Sequence, residues 1–185
     1  MPGFRRSLAG SLVGKVCVVG VGNPERADDG VGTFVAERLV ERGMEGVIVA
    51  GTTPERWMTT LVAGEYDTIL FVDAVALEAE PGSAVLMDAA EIEAHFPQVS
   101  THRISLGTLA RVIGREAGAR VLLLGVRPQS LAEERGLTGA VRETASGLAA
   151  VLEEILAGQP RTPLARGDAS RARELGSTLQ RCEAQ

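Results

Sequence analysis

The sequence predicts an α/β fold, a three-layer α-β-α sandwich with a mostly parallel sheet of about five strands. Short β-branched or aliphatic runs alternate along the chain with segments that have the apolar periodicity of helices. The runs are apolar throughout, which is typical of strands covered on both faces. With 185 residues, 45% of them hydrophobic, the chain can build the core of one such domain and is too short for two ordinary ones.

The predicted strands are short apolar runs bounded by glycine, proline or polar residues: 15–19, 47–49, 68–72, 84–87 and 121–126. The predicted helices have apolar residues three and four positions apart: 29–42, 53–63, 88–94, 104–117 and 138–157. Pro54 in a first turn marks one helix start, and Gly43 and Gly118 mark two helix ends. Strands and helices that alternate in this way imply a parallel sheet with helices on both faces.

Residues 15–158 are predicted to be one domain between two less ordered segments. Residues 1–14 are expected to form a loose leader: Arg5 and Arg6 suggest an export signal, but the apolar stretch after them is interrupted and runs into the first strand. Residues 159–185 contain two prolines, five arginines and few large apolar residues. This composition favours a polar, possibly disordered tail.

Composition excludes several classes of partner. The net charge of −5 and the pI near 5.2 argue against binding to nucleic acid or an anionic membrane. No apolar stretch approaches the roughly 20 residues of a transmembrane helix. Cys17 and Cys182 belong to no CxxC pair, so free thiols in a reducing cytoplasm are expected. A monomer is favoured, although nothing in the sequence determines the oligomeric state.

Two adjacent acids, Asp28 and Asp29, lie on the glycine-rich loop after the first strand, and ligands bind at this edge of open parallel sheets. Glu25 stands where a dinucleotide fingerprint needs its third glycine, and the Gly-Lys-Ser/Thr of a phosphate loop is absent. The two carboxylates would repel phosphates and attract a metal ion. Asp73 directly follows the third strand, and His102 lies on a later polar loop.

Asp29, Asp73 and His102 together form a mixed oxygen and nitrogen donor set suited to a divalent first-row metal, with coordination positions left open. Simpler roles compete with this interpretation. Asp28 could cap the following helix, and Asp29 could complement the helix dipole. Asn23 could hold its own turn, while Asp73 and His102 could bond loop amides or act as a cap.

Residues 20–24 (GVGNP), followed by 28–30 (DDG) and Gly32, resemble the opening motif of the nickel-iron hydrogenase maturation endopeptidases. These proteins remove a C-terminal extension from the hydrogenase large-subunit precursor once nickel has been inserted. The resemblance covers about residues 15–157. It implies an aspartic-type peptidase with a phosphorylase-like or hydrolase-like α/β fold, in which Asp29, Asp73 and His102 contact nickel that the precursor carries.

The resemblance also implies substrate contacts from Asn23, Asp28 and Arg127. Residues 125–128 (GVRP) resemble a Gly-Val-Gln-Pro turn of the family, with Arg127 in place of the amide. Residues 50–52 (AGT) stand where members often carry Asp-Gly-Gly. Asp29 is the expected catalytic acceptor of a proton from water, although the sequence does not identify the base.

The predicted function is therefore an endopeptidase that processes the hydrogenase large-subunit precursor. Two other classes remain open at this stage. One is a metal-dependent chaperone that binds the precursor without cutting it. The other is a small-molecule enzyme of the phosphorylase-like α/β type, against which stand the acidic loop and the missing phosphate ligands.

Overall fold

A computed structural model describes residues 2–95 and 105–158 of the chain. The strands are β1 (Val16–Val21), β2 (Val47–Gly51), β3 (Thr68–Ala74), β4 (Ala84–Asp88) and β5 (Arg120–Val126). The helices are α1 (Pro2–Ser11), α2 (Val31–Glu41), α3 (Met58–Ala63), α4 (Ala89–His95), α5 (Leu106–Ala117) and α6 (Gly139–Ala157). Short 3₁₀ turns, Ala27–Gly30 and Pro54–Trp57, precede α2 and α3.

The five strands form one sheet in the order β2-β1-β3-β5-β4. The pairs β1–β2, β1–β3 and β3–β5 are parallel, and the edge strand β4 is antiparallel to β5. This arrangement confirms the predicted mostly parallel α/β sheet. The register places Gly20 beside Val72 and Asp73 beside Gly125, so the carboxyl ends of β1, β3 and β5 lie at the same edge.

Successive strand side chains point to opposite faces of the sheet and enter two separate cores. Cys17, Val19 and Phe71 face the layer of α3, α4 and α5. Val18, Leu70 and Val72 face the layer that contains α1, α2 and α6. The strand interiors are buried on both sides, which explains why their sequences are apolar throughout.

The prediction of a loose leader at residues 1–14 is wrong for the helical part of that segment. Leu8 and Leu12, four positions apart on one face, are buried in the same core as α2 and α6. The Thr68 hydroxyl donates a hydrogen bond to the Val13 carbonyl (2.8 Å), and Arg5 pairs with Glu154 of α6. The isolated leucines carry too little periodicity to reveal a helix that tertiary packing stabilises.

Helix ends differ from the predictions by a few residues. The helix expected from residue 29 begins as the 3₁₀ turn Ala27–Gly30 and becomes α-helical at Val31. In α5, Ser105 is the N-cap and its hydroxyl accepts a hydrogen bond from the Thr108 N–H (3.1 Å). Within the described ranges, no helix is long and apolar enough to cross a bilayer. The predicted tail, 159–185, lies outside the described residues.

Leu8→Ala should destabilise the protein by about 2–5 kcal/mol, because the substitution leaves a cavity where a fully buried side chain packs against the core. Val13→Ala is the matched control, since Val13 is 52% exposed, and it should change stability by less than about 0.5 kcal/mol. Urea unfolding of the whole chain measures both. Equal, small effects would show that α1 is not part of the cooperative core.

Candidate active site

The candidate site lies at the carboxyl edge of the sheet, between β1 and β3. From β1 the chain crosses through α2 to β2 on one side, and from β2 it crosses through α3 to β3 on the other side of β1. The two crossover helices lie on opposite faces of the sheet. A strand order that reverses in this way opens a crevice at the carboxyl ends of the two strands, where open α/β sheets bind their ligands.

Gly22 allows the loop after β1 to fold back tightly on itself. It has a φ of 122°, which side chains disfavour, and a Cβ placed there would lie 1.8 Å from the Asp29 carbonyl oxygen. Its N–H donates to the Gly51 carbonyl (2.9 Å), and its carbonyl accepts from the Thr33 hydroxyl (3.0 Å). Asp29 is therefore held directly over the end of β1.

Asn23 stabilises the turn that presents Asp29. Its side-chain Oδ1 accepts a hydrogen bond from the Glu25 N–H (3.0 Å), and its carbonyl accepts from the Arg26 N–H (3.0 Å). Its own N–H donates to Oδ2 of Asp29 (3.1 Å), which orients that carboxylate. The structure thus supports the turn-forming role for Asn23, and the substrate contact stays a prediction.

Asp73 is the penultimate residue of β3 and lies beside Gly22; the residue is half-buried, and its carboxylate accepts a hydrogen bond from the Ala74 N–H (2.8 Å). Burial raises the pKa of Asp73 from 3.8 to about 7, and the nearby Asp29 carboxylate raises it further against the lowering effect of that hydrogen bond. A Cβ placed at Gly22 would lie 1.8 Å from the Asp29 carbonyl oxygen and 3.7 Å from Oδ1 of Asp73, so the structure brings these two predicted site residues together. The neighbouring Asp29 carboxylate therefore disfavours the ionised form of Asp73.

His102, the third predicted metal contact, lies outside the described residues. Within 2–95 and 105–158 there is no group of three His, Cys, Asp or Glu side chains placed to hold a metal ion. The described part of the proposed triad therefore consists of Asp29 and Asp73. The three-residue metal site stays a prediction.

Asp28 differs from its predicted roles. It is fully buried and makes no capping bond at the helix start. Its Oδ2 accepts hydrogen bonds from the N–H groups of Gln129 (2.8 Å) and Ser130 (3.0 Å) and from the Thr138 hydroxyl (2.9 Å). Its Oδ1 accepts from the Thr138 N–H (2.7 Å). Four donors surround this carboxylate, so it is structural and not exposed for a substrate contact.

The segment 129–138, which we call the site wall, is fastened to the acidic loop by further contacts. The Ala27 N–H donates to the Glu134 carbonyl (2.6 Å), and Glu25 forms an ion pair with Arg135 (2.7 Å). No motif in the sequence predicts a role for the site wall. The only sequence feature that pointed to such a segment is the pair of adjacent acids, Asp28 and Asp29. Two successive side chains on a tight loop cannot both face the crevice, so one of them needs a partner elsewhere in the protein.

Arg127, the remaining predicted substrate contact, follows β5 at the same edge. Its N–H donates to the Ser83 carbonyl (2.8 Å), and its carbonyl accepts from the Gly82 N–H (2.9 Å). Its side chain is half-buried, and the buried Nε has no hydrogen-bond partner. The backbone of Arg127 is therefore well anchored, while its guanidinium is not.

Asp28→Asn should cost about 3 kcal/mol or more, because the amide nitrogen would face N–H donors and leave buried groups unsatisfied. Thr138→Val removes only the hydroxyl donor and should cost about 1 kcal/mol. Denaturant unfolding of the two variants provides the comparison. A smaller loss for Asp28→Asn than for Thr138→Val would contradict the role assigned to Asp28.

Asp73→Asn should stabilise the protein increasingly as pH rises. Because the pKa of Asp73 is higher in the folded chain than its ordinary value of 3.8, the folded state binds the proton more tightly and loses stability between about pH 4 and pH 7. Asn keeps the acceptor for the Ala74 N–H and does not ionise. Thermal unfolding in chelator at pH 5 and pH 8 measures the difference, and a difference independent of pH would refute the assignment.

Comparison with known proteins identifies relatives of this chain. The family model for HycI, hydrogenase maturation protease, matches residues 34–156. Hydrogenase 3 maturation protease of Escherichia coli K12 is 30% identical over 110 residues, covering 58% of this chain and 69% of that protein.

Solved structures of hydrogenase maturation proteases have a similar fold. The crystal structure of the [NiFe] hydrogenase maturation protease HycI from Thermococcus kodakarensis KOD1 has a TM-score of 0.73 at 30% identity, over 82% of this chain and 99% of that one. The solution structure of the endopeptidase HycI from Escherichia coli has a TM-score of 0.67 at 25% identity, over 82% and 97%. The chain belongs to the hydrogenase maturation protease family.

Proposed function

We propose that this protease removes the C-terminal extension of a nickel-iron hydrogenase large-subunit precursor after nickel insertion, and that it recognises the nickel in the precursor. Family membership supports a peptidase that matures a hydrogenase. The observation that carries the finer proposal is the Asp29–Asp73 pair in the crevice between β1 and β3. It is the part of the described chain best suited to a cation.

The electrostatics of this pair favour a divalent ion. Burial and the neighbouring Asp29 carboxylate both raise the pKa of Asp73. Within the described ranges, no ion pair reaches either carboxylate. A divalent cation would supply the missing positive charge and favour the ionised form of Asp73. The pair thus fits an ion that arrives with the substrate.

Two carboxylate oxygens and the His102 imidazole would complete the coordination of nickel already held by the precursor. Because this donor set lacks a thiolate and leaves positions open, the precursor has to provide the remaining ligands. Cleavage would then depend on nickel, because a precursor without the ion would bring no positive charge to attract the two carboxylates. This dependence would explain how processing waits for metal insertion.

Asp29 is the proposed acceptor of the proton from the attacking water, which makes the enzyme an aspartic-type peptidase. The Asn23 N–H orients its Oδ2, and the Gly22 turn fixes its backbone. Bound nickel would contribute Lewis acidity toward the scissile carbonyl or the water. Asp73 holds the neighbouring position on β3, where its charge state responds to that of Asp29.

Asp29→Asn should leave a folded protein that no longer shortens nickel-loaded precursor, because Asn keeps the shape of Asp without its charge. His102→Ala should likewise abolish processing. The precursor mass before and after incubation is the measurement, and the loss in rate should be at least about 100-fold for a residue that transfers the proton. Glu37→Gln, at an exposed position on α2, is the control and should retain activity.

The same mass measurement separates the alternatives. A chaperone would bind the precursor and leave its mass unchanged, whereas a small-molecule enzyme would do neither. Nickel-free precursor provides the second comparison and should stay uncut by the wild-type protein. Cleavage of nickel-loaded precursor by Asp29→Asn at the wild-type rate would overturn the assignment of this residue.

A further inference from the structure

We propose that Arg127 is a specificity-determining residue that binds a carboxylate group in the C-terminal segment of the precursor, close to the bond that is cut. The inference rests on the proposed function, and it adds the chemical class of the group recognised beside the Asp29–Asp73 pair. Three features of the described residues support it: the position of Arg127, its unpartnered guanidinium and the local balance of charge.

Arg127 and Asp73 lie at the same edge of the sheet, on or directly after neighbouring strands. Asp73 is the register partner of Gly125. It is two residues from both Phe71 and Val75, so its side chain is on the same face as theirs, which enter the core beneath α3, α4 and α5. A Cβ at Gly125 would meet Val75, so this position faces the same layer. Arg127 is two residues further on. Its N–H donates to the Ser83 carbonyl and its carbonyl accepts from the Gly82 N–H, so the residue is held beside β4 directly after β5 ends.

The guanidinium of Arg127 is unusual among the arginines around the crevice. Arg26 donates to the Leu131 carbonyl (3.3 Å), and Arg135 is paired with Glu25. In the described part of the chain, Arg127 makes no side-chain hydrogen bond or ion pair, although its Nε is buried. Leaving a buried donor of a charged group unsatisfied is costly, and such a group calls for a ligand or another explanation.

A carboxylate is the ligand that best fits this position. The planar fork of arginine matches a carboxylate with two parallel hydrogen bonds. An acidic group of the substrate would be repelled by Asp29 and Asp73 unless a cation compensated nearby, and a phosphate with its larger charge would be repelled more strongly. Arg127 supplies that cation from the end of the next strand, at the same edge of the sheet.

The geometry limits where the substrate carboxylate can be. Arg127 is two residues, about 7 Å of strand, beyond the partner of Asp73. The Arg127 side chain is about as long as that distance, so its guanidinium lies within about 15 Å of the acidic pair. An extended peptide covers about 3.3 Å per residue. The recognised group should therefore be within about four residues of the cleaved bond. It can be an Asp or Glu side chain, or the terminal carboxylate of a short extension.

The test combines enzyme variants with precursor variants. Wild-type, Arg127→Gln and Arg127→Lys proteins are each incubated with nickel-loaded precursor, and kcat and KM are measured by mass. The precursor is used unchanged, with each nearby acid replaced by its amide, and with its C-terminus extended by neutral residues. Arg38→Gln is the matched control, because Arg38 is already paired with Glu41 on α2, in the opposite layer.

Arg127→Gln should raise KM by about 10- to 100-fold and change kcat little, as expected for a hydrogen-bonded charge pair made equally in ground and transition states. Arg127→Lys should recover part of the loss. One precursor variant should show the same defect with the wild-type protein and no further defect with Arg127→Gln. An amide variant identifies a side chain, and the extended variant identifies the terminal carboxylate.

Equal KM values for every precursor variant with the wild-type protein would overturn the proposal, and this arm does not depend on the folding of any enzyme variant. Additive defects of the enzyme and precursor changes would also overturn it. A thermal unfolding temperature of Arg127→Gln well below that of Arg38→Gln, with KM unchanged, would assign Arg127 a structural role. Failure of the wild-type protein to cut any precursor would instead refute the proposed function itself.

Discussion

The buried carboxylate of Asp28 is the interaction on which the candidate site depends. Its two oxygens accept four hydrogen bonds from residues 129, 130 and 138, more than a hundred positions later in the chain. A buried charge without such donors would be strongly destabilising. Because each donor belongs to the site wall, the same bonds that stabilise Asp28 also join the acidic loop to the segment between β5 and α6. These bonds also hold the backbone of the next residue, Asp29, in place.

Within this rigid frame the crevice retains unfavourable electrostatics. Asp73 has a pKa near 7 because it is poorly solvated and has a second carboxylate as its neighbour, and Arg127 lacks an acceptor for its buried Nε. Either group alone would reduce stability. Asp73 and Arg127 both lie at one edge of the sheet, and groups that lower the stability of the free protein are expected at a binding site. A precursor that brings a cation and a carboxylate would relieve both.

The sheet was predictable because its signals are local. Short continuous apolar runs such as 68–72 and 121–126 are typical of buried strands, and the glycines and prolines between them mark the turns. The packing of α1 was not predictable in the same way. Leu8 and Leu12 are two apolar residues among glycines and arginines, and the core that buries them is formed by α2 and α6, which lie far along the chain.

The sequence by itself determined the succession of strands and helices along the chain, the acidic loop after β1 and the acid at the end of β3. Each of these follows from residues within a few positions of it. Only the tertiary structure decided what surrounds each acid. Asp28 and Asp29 are adjacent and chemically identical, yet one is enclosed by four donors while the other faces the crevice with Asp73. Distant segments supply those donors and that neighbour, so no local pattern could distinguish the two residues.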